Sequence, residues 1–424
     1  MQAGTHNGDQ EHTLVIPTYN RPALLQKLVR YYRDRASWID LLVLDSSRTE
    51  IAQQNAAALL LFGAGVSHVV FPEDVAVVSK LADGLALVRT PTVSFCADDD
   101  LVFPQGLSEA IAFLQDHHDY VCAHGLYLNF RTAGQDLYLS SEYSGPGIEA
   151  THSGARVFQL CQKYESLFYA VFRSADARGI YAALTAISTI HFQELFQSVA
   201  AVIQGKAQRL PVIYGARRSG PPAETDRNKW QTYSWFADNP AEVLEHYRIY
   251  RDLLETFYQA HVTEPRSPRQ EFVRMLDLAH AVYFAAGCPP DYFFSKLQPL
   301  WPEDSYRRVG RLDNLLEAGR LAAMKRALLP DRQQELDVLE QFRLSSDTRD
   351  WASSGLVGGV RFLCESALGY LRLMHLNAAG NQSNSGAWRC RLPKPLTWMA
   401  ANPSFRNGYF ELHHYLGKPD SSAR

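Results

Sequence analysis

The chain has few features that point to a disulfide framework, a membrane span or a nucleic-acid partner. Its six cysteines, Cys96, Cys122, Cys161, Cys288, Cys364 and Cys390, are scattered through 424 residues without paired spacing. That spacing speaks for reduced thiols in a cytoplasmic setting. There is no Cys-x-x-Cys or His-Glu-x-x-His pattern, which argues against structural zinc and metalloprotease chemistry. A Gly-x-Ser-x-Gly elbow, a P-loop and a Gly-x-Gly-x-x-Gly after the first strand are also lacking. Neither sign of charge dominates: 42 Lys and Arg against 45 Asp and Glu give a net charge of -3, which provides no electrostatic reason to expect nucleic acid. The longest apolar run, Leu356 to Leu376, is broken by Arg361, Glu365 and Arg372. It is therefore too interrupted to span a bilayer and reads as a packed helix, with peripheral contact at the inner membrane face as its second use. Met1 to His12 lacks the basic and apolar regions of a signal peptide.

What the chain does have is a carboxylate triplet. Asp98, Asp99 and Asp100 close the apolar run Thr92-Val-Ser-Phe-Cys-Ala97 and precede Leu-Val-Phe-Pro104. Two readings are open. Like charges this close are tolerable when a divalent cation, Mn²⁺ or Mg²⁺ with oxygen ligands, neutralises them. Alternatively, the acids cap the helix expected over Gly106 to His118.

The segments before the triplet supply context. Thr13-Leu-Val-Ile16 is a β-branched run, and Pro17-Thr-Tyr-Asn-Arg-Pro22 is a turn. Leu24, Leu25, Leu28, Val29 and Tyr32 then recur at helical spacing behind Pro22. Strand-like Asp40 to Leu44, a helix over Ile51 to Phe62, a strand over Ser67 to Phe71 and a helix over Val77 to Val88 follow. Such alternation predicts a mainly parallel α/β sheet with right-handed crossovers, and ligands bind such sheets at the carboxyl ends of the strands.

Val-Ile-Pro-Thr-Tyr-Asn-Arg-Pro, Val-Leu-Asp-Ser-Ser and Ala-Asp-Asp-Asp-Leu-Val-Phe-Pro, in that order, resemble the nucleotide-sugar half of GT-A-fold, family 2-like glycosyltransferases of a bacterial branch. The likeness covers about residues 12 to 130. It implies that Pro17, Thr18 and Tyr19 surround the nucleoside, that Arg21 meets a phosphate, and that Asp45 accepts hydrogen bonds from the nucleoside. By the same resemblance Lys80 and Asp83 face the nucleotide, Asp98 lies nearer the ribose or metal, and Asp99 is the main metal ligand with Asp100 beside it. An acid often stands in the family where this chain has Ala97, which leaves the division among the three aspartates open.

The acceptor half is expected to supply a general base. Glu194 is the candidate, because Ile190-His-Phe-Gln-Glu-Leu-Phe opens an amphipathic helix, and His191 is the fallback. Arg217 and Arg218, behind strand-like Leu210 to Tyr214, are placed to brace phosphate or an anionic acceptor. Aromatics from Trp230 to Phe236 are candidates for sugar stacking, and His413 or His414 for a further metal ligand in a folded-back tail. The expected domains are 1–220 (nucleotide half to 130, acceptor half from 131), a helical region over 221–345, and a mixed region over 346–424. The function implied is metal-dependent, inverting transfer from a nucleoside diphosphate sugar, a UDP-sugar favoured, to a glycan, lipid-linked saccharide or protein. The alternatives are a nucleotidyltransferase and a non-catalytic glycan- or partner-binding module.

Overall fold

The computed structural model describes residues 11–141, 145–162, 164–219, 240–262, 269–287, 367–368, 370–375, 389–391, 400 and 402–417. The sequence expectations for Trp230 to Phe236, for the segment from Cys288 to 366 and for the Asn377 to Ser385 loop lie outside those residues.

Strand β1 (His12–Thr18) is buried along nearly its whole length, as expected for a central strand covered on both faces. Pro22 occupies the first turn of α1 (Pro22–Arg35), where its missing N–H costs nothing. The chain continues through β2 (Asp40–Asp45), α2 (Thr49–Leu59), a short 3₁₀ turn (Leu60–Phe62), β3 (Val66–Val70), α3 (Val77–Leu87) and β4 (Thr92–Phe95). β1 pairs in parallel with β2, from Thr13 against Asp40 to Thr18 against Asp45, and with β4 on its other side; β2 pairs in parallel with β3. These four strands match the expected alternation, with boundaries shifted by at most two residues.

The triplet does not cap a helix. Asp98 to Asp100 lie in the turn between β4 and the two-residue strand β5 (Leu101–Val102), and α4 (Pro104–Asp116) has Phe103 at its N-cap. The capping reading is therefore set aside.

Beyond α4 the sheet becomes mixed. β6 (Tyr120–Ala133) and β7 (Asp136–Ser141) form an antiparallel pair, followed by α5 (Ser153–Gln162), β8 (Val171–Arg173), α6 (Ser174–Leu184), α7 (Ile190–Gln204) and β9 (Lys206–Arg218). β8 joins β4 to β6 with antiparallel pairing on both sides. β9 runs parallel to β6, and its far end is antiparallel to β5, with Leu101 opposite Ala216 and Val102 opposite Gly215. That short pairing brings Arg217 and Arg218 to the acids. It needs the glycine: a Cβ at Gly215 would lie 2.7 Å from the Leu101 carbonyl oxygen. Helices α8 (Pro240–His261) and α9 (Arg269–Gly287), strand β10 (Arg389–Arg391) beside β7, and α10 (Phe405–Leu416) complete the described elements, with ten strands in one sheet.

Alternate residues of each strand serve opposite faces. Val15, Leu42 and Leu44 point into a core with α3 and α5 to α9, whereas Leu14, Ile16, Leu41 and Val43 point into one with α1, α4 and α10. The sheet is thus covered on both sides, and the loops at its carboxyl edge are the part left open for chemistry.

Candidate active site

The register of β1 against β2 places Thr18 beside Asp45, and β4 delivers the triplet to the same edge. Asn20 holds the β1–α1 loop with a left-handed backbone, φ 55°, a conformation Asn tolerates better than most residues. Its N–H donates to Ser47 Oγ (2.7 Å), and its side-chain oxygen accepts from the Arg48 N–H (3.0 Å). The two loops expected to surround the nucleoside are therefore tied together. Pro17 is half-buried, and Tyr19 reaches across to donate its hydroxyl to Glu73 (3.0 Å).

All three aspartates have protein partners. The Thr18 hydroxyl donates to Asp98 Oδ2 at 2.7 Å, and Arg21 Nη1 donates to Asp98 Oδ1 at 3.0 Å and to Asp99 Oδ2 at 2.9 Å. Asp100 accepts from the Tyr169 hydroxyl (2.5 Å) and the Arg218 backbone N–H (2.8 Å), with Arg217 Nε 3.7 Å away. Burial raises the Asp98 carboxyl against the pull of Thr18 and Arg21. It pushes Asp100 up to about 6 although Tyr169 opposes it. Positive charge from Arg21 and Arg217 thus offsets much of the repulsion that the sequence assigned to a metal.

Among the described residues no group of three or more His, Cys, Asp or Glu is arranged to hold a metal ion. The donor chemistry nevertheless fits one that arrives with substrate. Asp99 has 29% of its side chain exposed, against 4% for Asp98 and 7% for Asp100. Mg²⁺ or Mn²⁺ takes one or two carboxylates and completes its shell with water and phosphate oxygens. The tail does fold back, as α10 packs on α1 and β9. His413, however, forms no three-ligand group with the acids, and its ring leans on Tyr409. Tyr415, on the same helix, is buried, and burial raises its hydroxyl, with smaller contributions from neighbours that include Asp99 and Asp100.

Asp45 is fully buried and already engaged. Its oxygens accept from the Ser47 N–H (2.8 Å) and the Asn55 amide (2.8 Å), and His68 Nε2 stands 3.1 Å away. Burial opposes its ionisation, but hydrogen bonds from His68, Ser47 and Asn55 outweigh that and hold the carboxyl well below the usual carboxylate range. Lys80 is no surface lysine. It is 2% exposed, donates to the Thr18 carbonyl (3.1 Å) and Ser46 Oγ (2.8 Å), and is pushed down to about 8 by burial, with Asp45 and Asp98 opposing. Asp83, by contrast, is exposed.

On the other side of Asp100 lies a cavity of about 230 Å³. Its walls include Val78, Phe168, Tyr169, Tyr181, Glu194 and Arg217. Glu194 is an exposed residue that lines this cavity, and partial burial of its carboxyl there raises it, while Arg217 opposes. Arg217 is thus shared between the Glu194 cavity and Asp100. His191 is turned away, buried against Phe192, Tyr283 and Phe284, and pushed down to about 4 by burial and then His280.

Sequence reasoning missed Tyr169, Asn55 and His68. Each reaches the site through strand or helix adjacency rather than a local motif. No helix among the described residues is long and apolar enough to cross a membrane. The described part of the Leu356 to Leu376 run buries Leu373 and exposes Leu368, Tyr370, Leu371 and Met374, so its described face is less packed than the sequence implied.

Residues 13–150 match the family model described as Glycosyl transferase family 2. No curated protein matches the sequence. Among solved structures, S. aureus TarS 1-349 in complex with UDP-GlcNAc is similar with a TM-score of 0.47 and 12% identity over 80% of this chain and 91% of that one. A second crystal structure of S. aureus TarS 1-349 gives 0.44 and 11% over the same shares.

Proposed function

We propose that this chain, a glycosyltransferase whose family 2 domain spans residues 13–150, moves a sugar from a nucleoside diphosphate onto a hydroxyl held beside Glu194. Inversion at the anomeric carbon follows from a base and a leaving group on opposite sides of the sugar. The observation that carries this reading is the position of Glu194 on the wall of a cavity that it shares with Arg217, which in turn reaches Asp100 at the sheet edge.

Glu194 takes the acceptor hydroxyl proton as that oxygen bonds to the anomeric carbon. The bond from that carbon to the diphosphate oxygen breaks, and the nucleoside diphosphate leaves with the electron pair. A raised carboxyl suits a general base working near neutral pH. Pro17, Thr18 and Tyr19 bound the nucleoside site, and Asp45 acts indirectly by fixing Asn55, His68 and the Ser47 turn that face it. Arg21 and Lys80 provide positive charge for the diphosphate. Asp98 holds Thr18 and Arg21 in place. Asp99, supported by Asp100, is the carboxylate for Mg²⁺ or Mn²⁺, which when bound supplies Lewis-acid stabilisation of the departing diphosphate.

A cavity of about 230 Å³ is smaller than the sites that enclose drug-sized ligands, roughly 300–1,000 Å³. It suits one sugar ring of a glycan or lipid-linked acceptor, with the remainder outside. The phenyl and phenol rings of Phe168, Tyr169 and Tyr181 provide apolar faces for that ring. The test is nucleoside diphosphate release from a panel of nucleotide sugars, UDP-sugars first, by wild type and Glu194→Gln, with the product anomer read by NMR. An α-linked product from an α-linked donor would sink inversion. Absence of turnover with every donor and acceptor would favour a non-catalytic module.

A further inference from the structure

Helix α10 places a second group of side chains against the acids. Phe405, Tyr409, Leu412 and Tyr415 are buried, and Glu411 anchors the helix by pairing with Arg35 and accepting from the Tyr31 hydroxyl at 2.7 Å. On this seat the Tyr415 ring stands edge-on to Tyr31 at 5.7 Å. The Lys27 ammonium lies 4.8 Å from the Tyr415 ring centre and donates to the Leu416 carbonyl at 3.3 Å.

Two observations call for a missing acceptor. The Tyr415 hydroxyl belongs to a residue 3% exposed, has no hydrogen-bond partner, and senses Arg218, Asp99 and Asp100. A buried unsatisfied hydroxyl is costly and calls for an explanation. In addition, two cations border this hydroxyl's helix and the acids: Lys27 stands 4.8 Å from the Tyr415 ring centre, and the Arg218 backbone N–H donates to Asp100 at 2.8 Å, while burial and then Arg218 push the Lys27 ammonium down. Among the described residues neither cation has a carboxylate partner. The Arg218 guanidinium lies over Phe130 at 5.4 Å, and Lys27 meets only the Tyr415 ring and a carbonyl.

We infer that Lys27, Arg218 and Tyr415 form a phosphoryl-binding corner beside Asp99 and Asp100, built from α1, the end of β9 and α10. A phosphoryl group offers several acceptor oxygens and the negative charge that two facing cations lack. It comes either from the donor diphosphate or from a phosphate on the acceptor. The inference extends the transferase reading, on which its catalytic meaning rests, but anion binding can be measured without turnover.

Calorimetric titrations of wild type, Tyr415→Phe, Lys27→Gln and Arg218→Gln with pyrophosphate, UDP, uridine and glycerol 3-phosphate, with Mn²⁺ present throughout, decide it. Tyr415→Phe should keep the wild-type melting temperature, because the hydroxyl makes no internal bond, and should weaken pyrophosphate about tenfold, the worth of one charge-assisted hydrogen bond. The two cation variants should weaken it similarly, and uridine should be indifferent. A parallel loss with UDP assigns the corner to the donor; a loss with glycerol 3-phosphate but not UDP assigns it to the acceptor. Unchanged pyrophosphate binding in all three variants, or a melting temperature that collapses in Tyr415→Phe, overturns it. Should wild type bind pyrophosphate but no nucleotide, the donor reading fails while the corner stands.

Discussion

Lys80 offers the sharpest thermodynamic test of the site. An ordinary lysine titrates at 10.5, whereas burial brings this one to about 8. Each unit is worth about 1.4 kcal/mol, so holding Lys80 charged at neutral pH costs the folded protein about 3 kcal/mol. The residue is 2% exposed, so solvent screening removes little of that. Between pH 8 and 10.5 the unfolded chain retains the proton and the folded chain has lost it. Stability therefore rises with pH across that window. The matching perturbation is Lys80→Met, which keeps the aliphatic stem and removes the charge. It gives up the bonds to the Thr18 carbonyl and Ser46, worth about 1 kcal/mol each. At pH 7 the nucleotide-free variant should match or exceed wild type by about 1 kcal/mol, and the difference should reverse by up to about 3 kcal/mol by pH 10.5. Urea unfolding of both proteins at closely spaced pH values reads this directly, because tyrosines and thiols titrating in the same range are common to both. Nucleoside diphosphate binding should weaken in the variant. A Lys80→Met protein markedly less stable at pH 7, with a pH-independent difference, would refute the reasoning and make Lys80 a structural tie.

Glu194→Gln should lower kcat by roughly 10²–10⁴-fold with little change in KM, the range general-base removal gives; a loss confined to KM would remove Glu194 from the chemistry. In wild type, activity should fall as pH drops through the raised Glu194 value. Arg217→Gln takes away a charge that lowers both Glu194 and Asp100, so the acid limb of its kcat/KM profile should move to higher pH, and an unmoved limb would place another group in control. Asp99→Ala should abolish the extra thermal stabilisation that Mn²⁺ gives with a nucleoside diphosphate, which differential scanning fluorimetry measures; a retained metal effect would assign the ion elsewhere.

Much of the nucleotide half was legible because its signals are local. Thr13 to Ile16 and Asp40 to Leu44 are β-branched and leucine-rich runs buried on both faces, and Pro22 marks a helix start. Patterning of this kind survives folding. Glu194, the base expected at the opening of an amphipathic helix, lines the cavity, and its role remains the one proposed above. The failures come from long-range pairing. Nothing near Asp45 in sequence says that His68 on the neighbouring strand will bond it. Asp100 meets Tyr169 only because β4, β8 and β6 are adjacent. Lys80 was placed at the nucleotide only by resemblance; its burial depends on which face of α3 lies on the sheet, which no local pattern fixes. His413 was chosen as a ligand type, whereas in the structure its ring stands beside Tyr409 and the same helix buries Tyr415 against Tyr31.

The charge arrangement suggests how metal and donor enter. Asp45, Asp98, Asp99 and Asp100 carry the negative charge of the edge, and Arg21, Lys80 and Arg217 stand among them. The edge is thus nearly balanced without a divalent ion, so a bare cation gains little there and must displace Arg21 from Asp99 to bind it. A diphosphate alone would bring two further negative charges to buried carboxylates, at a desolvation cost that rises steeply with burial. With both present the balance would be close to neutral: Asp99 would be the carboxylate to hold the ion, and Arg21 would be the guanidinium to meet the diphosphate. On the proposed function Arg21, which pairs with Asp98 and Asp99, would be the side chain whose partners change when a metal and a nucleoside diphosphate bind.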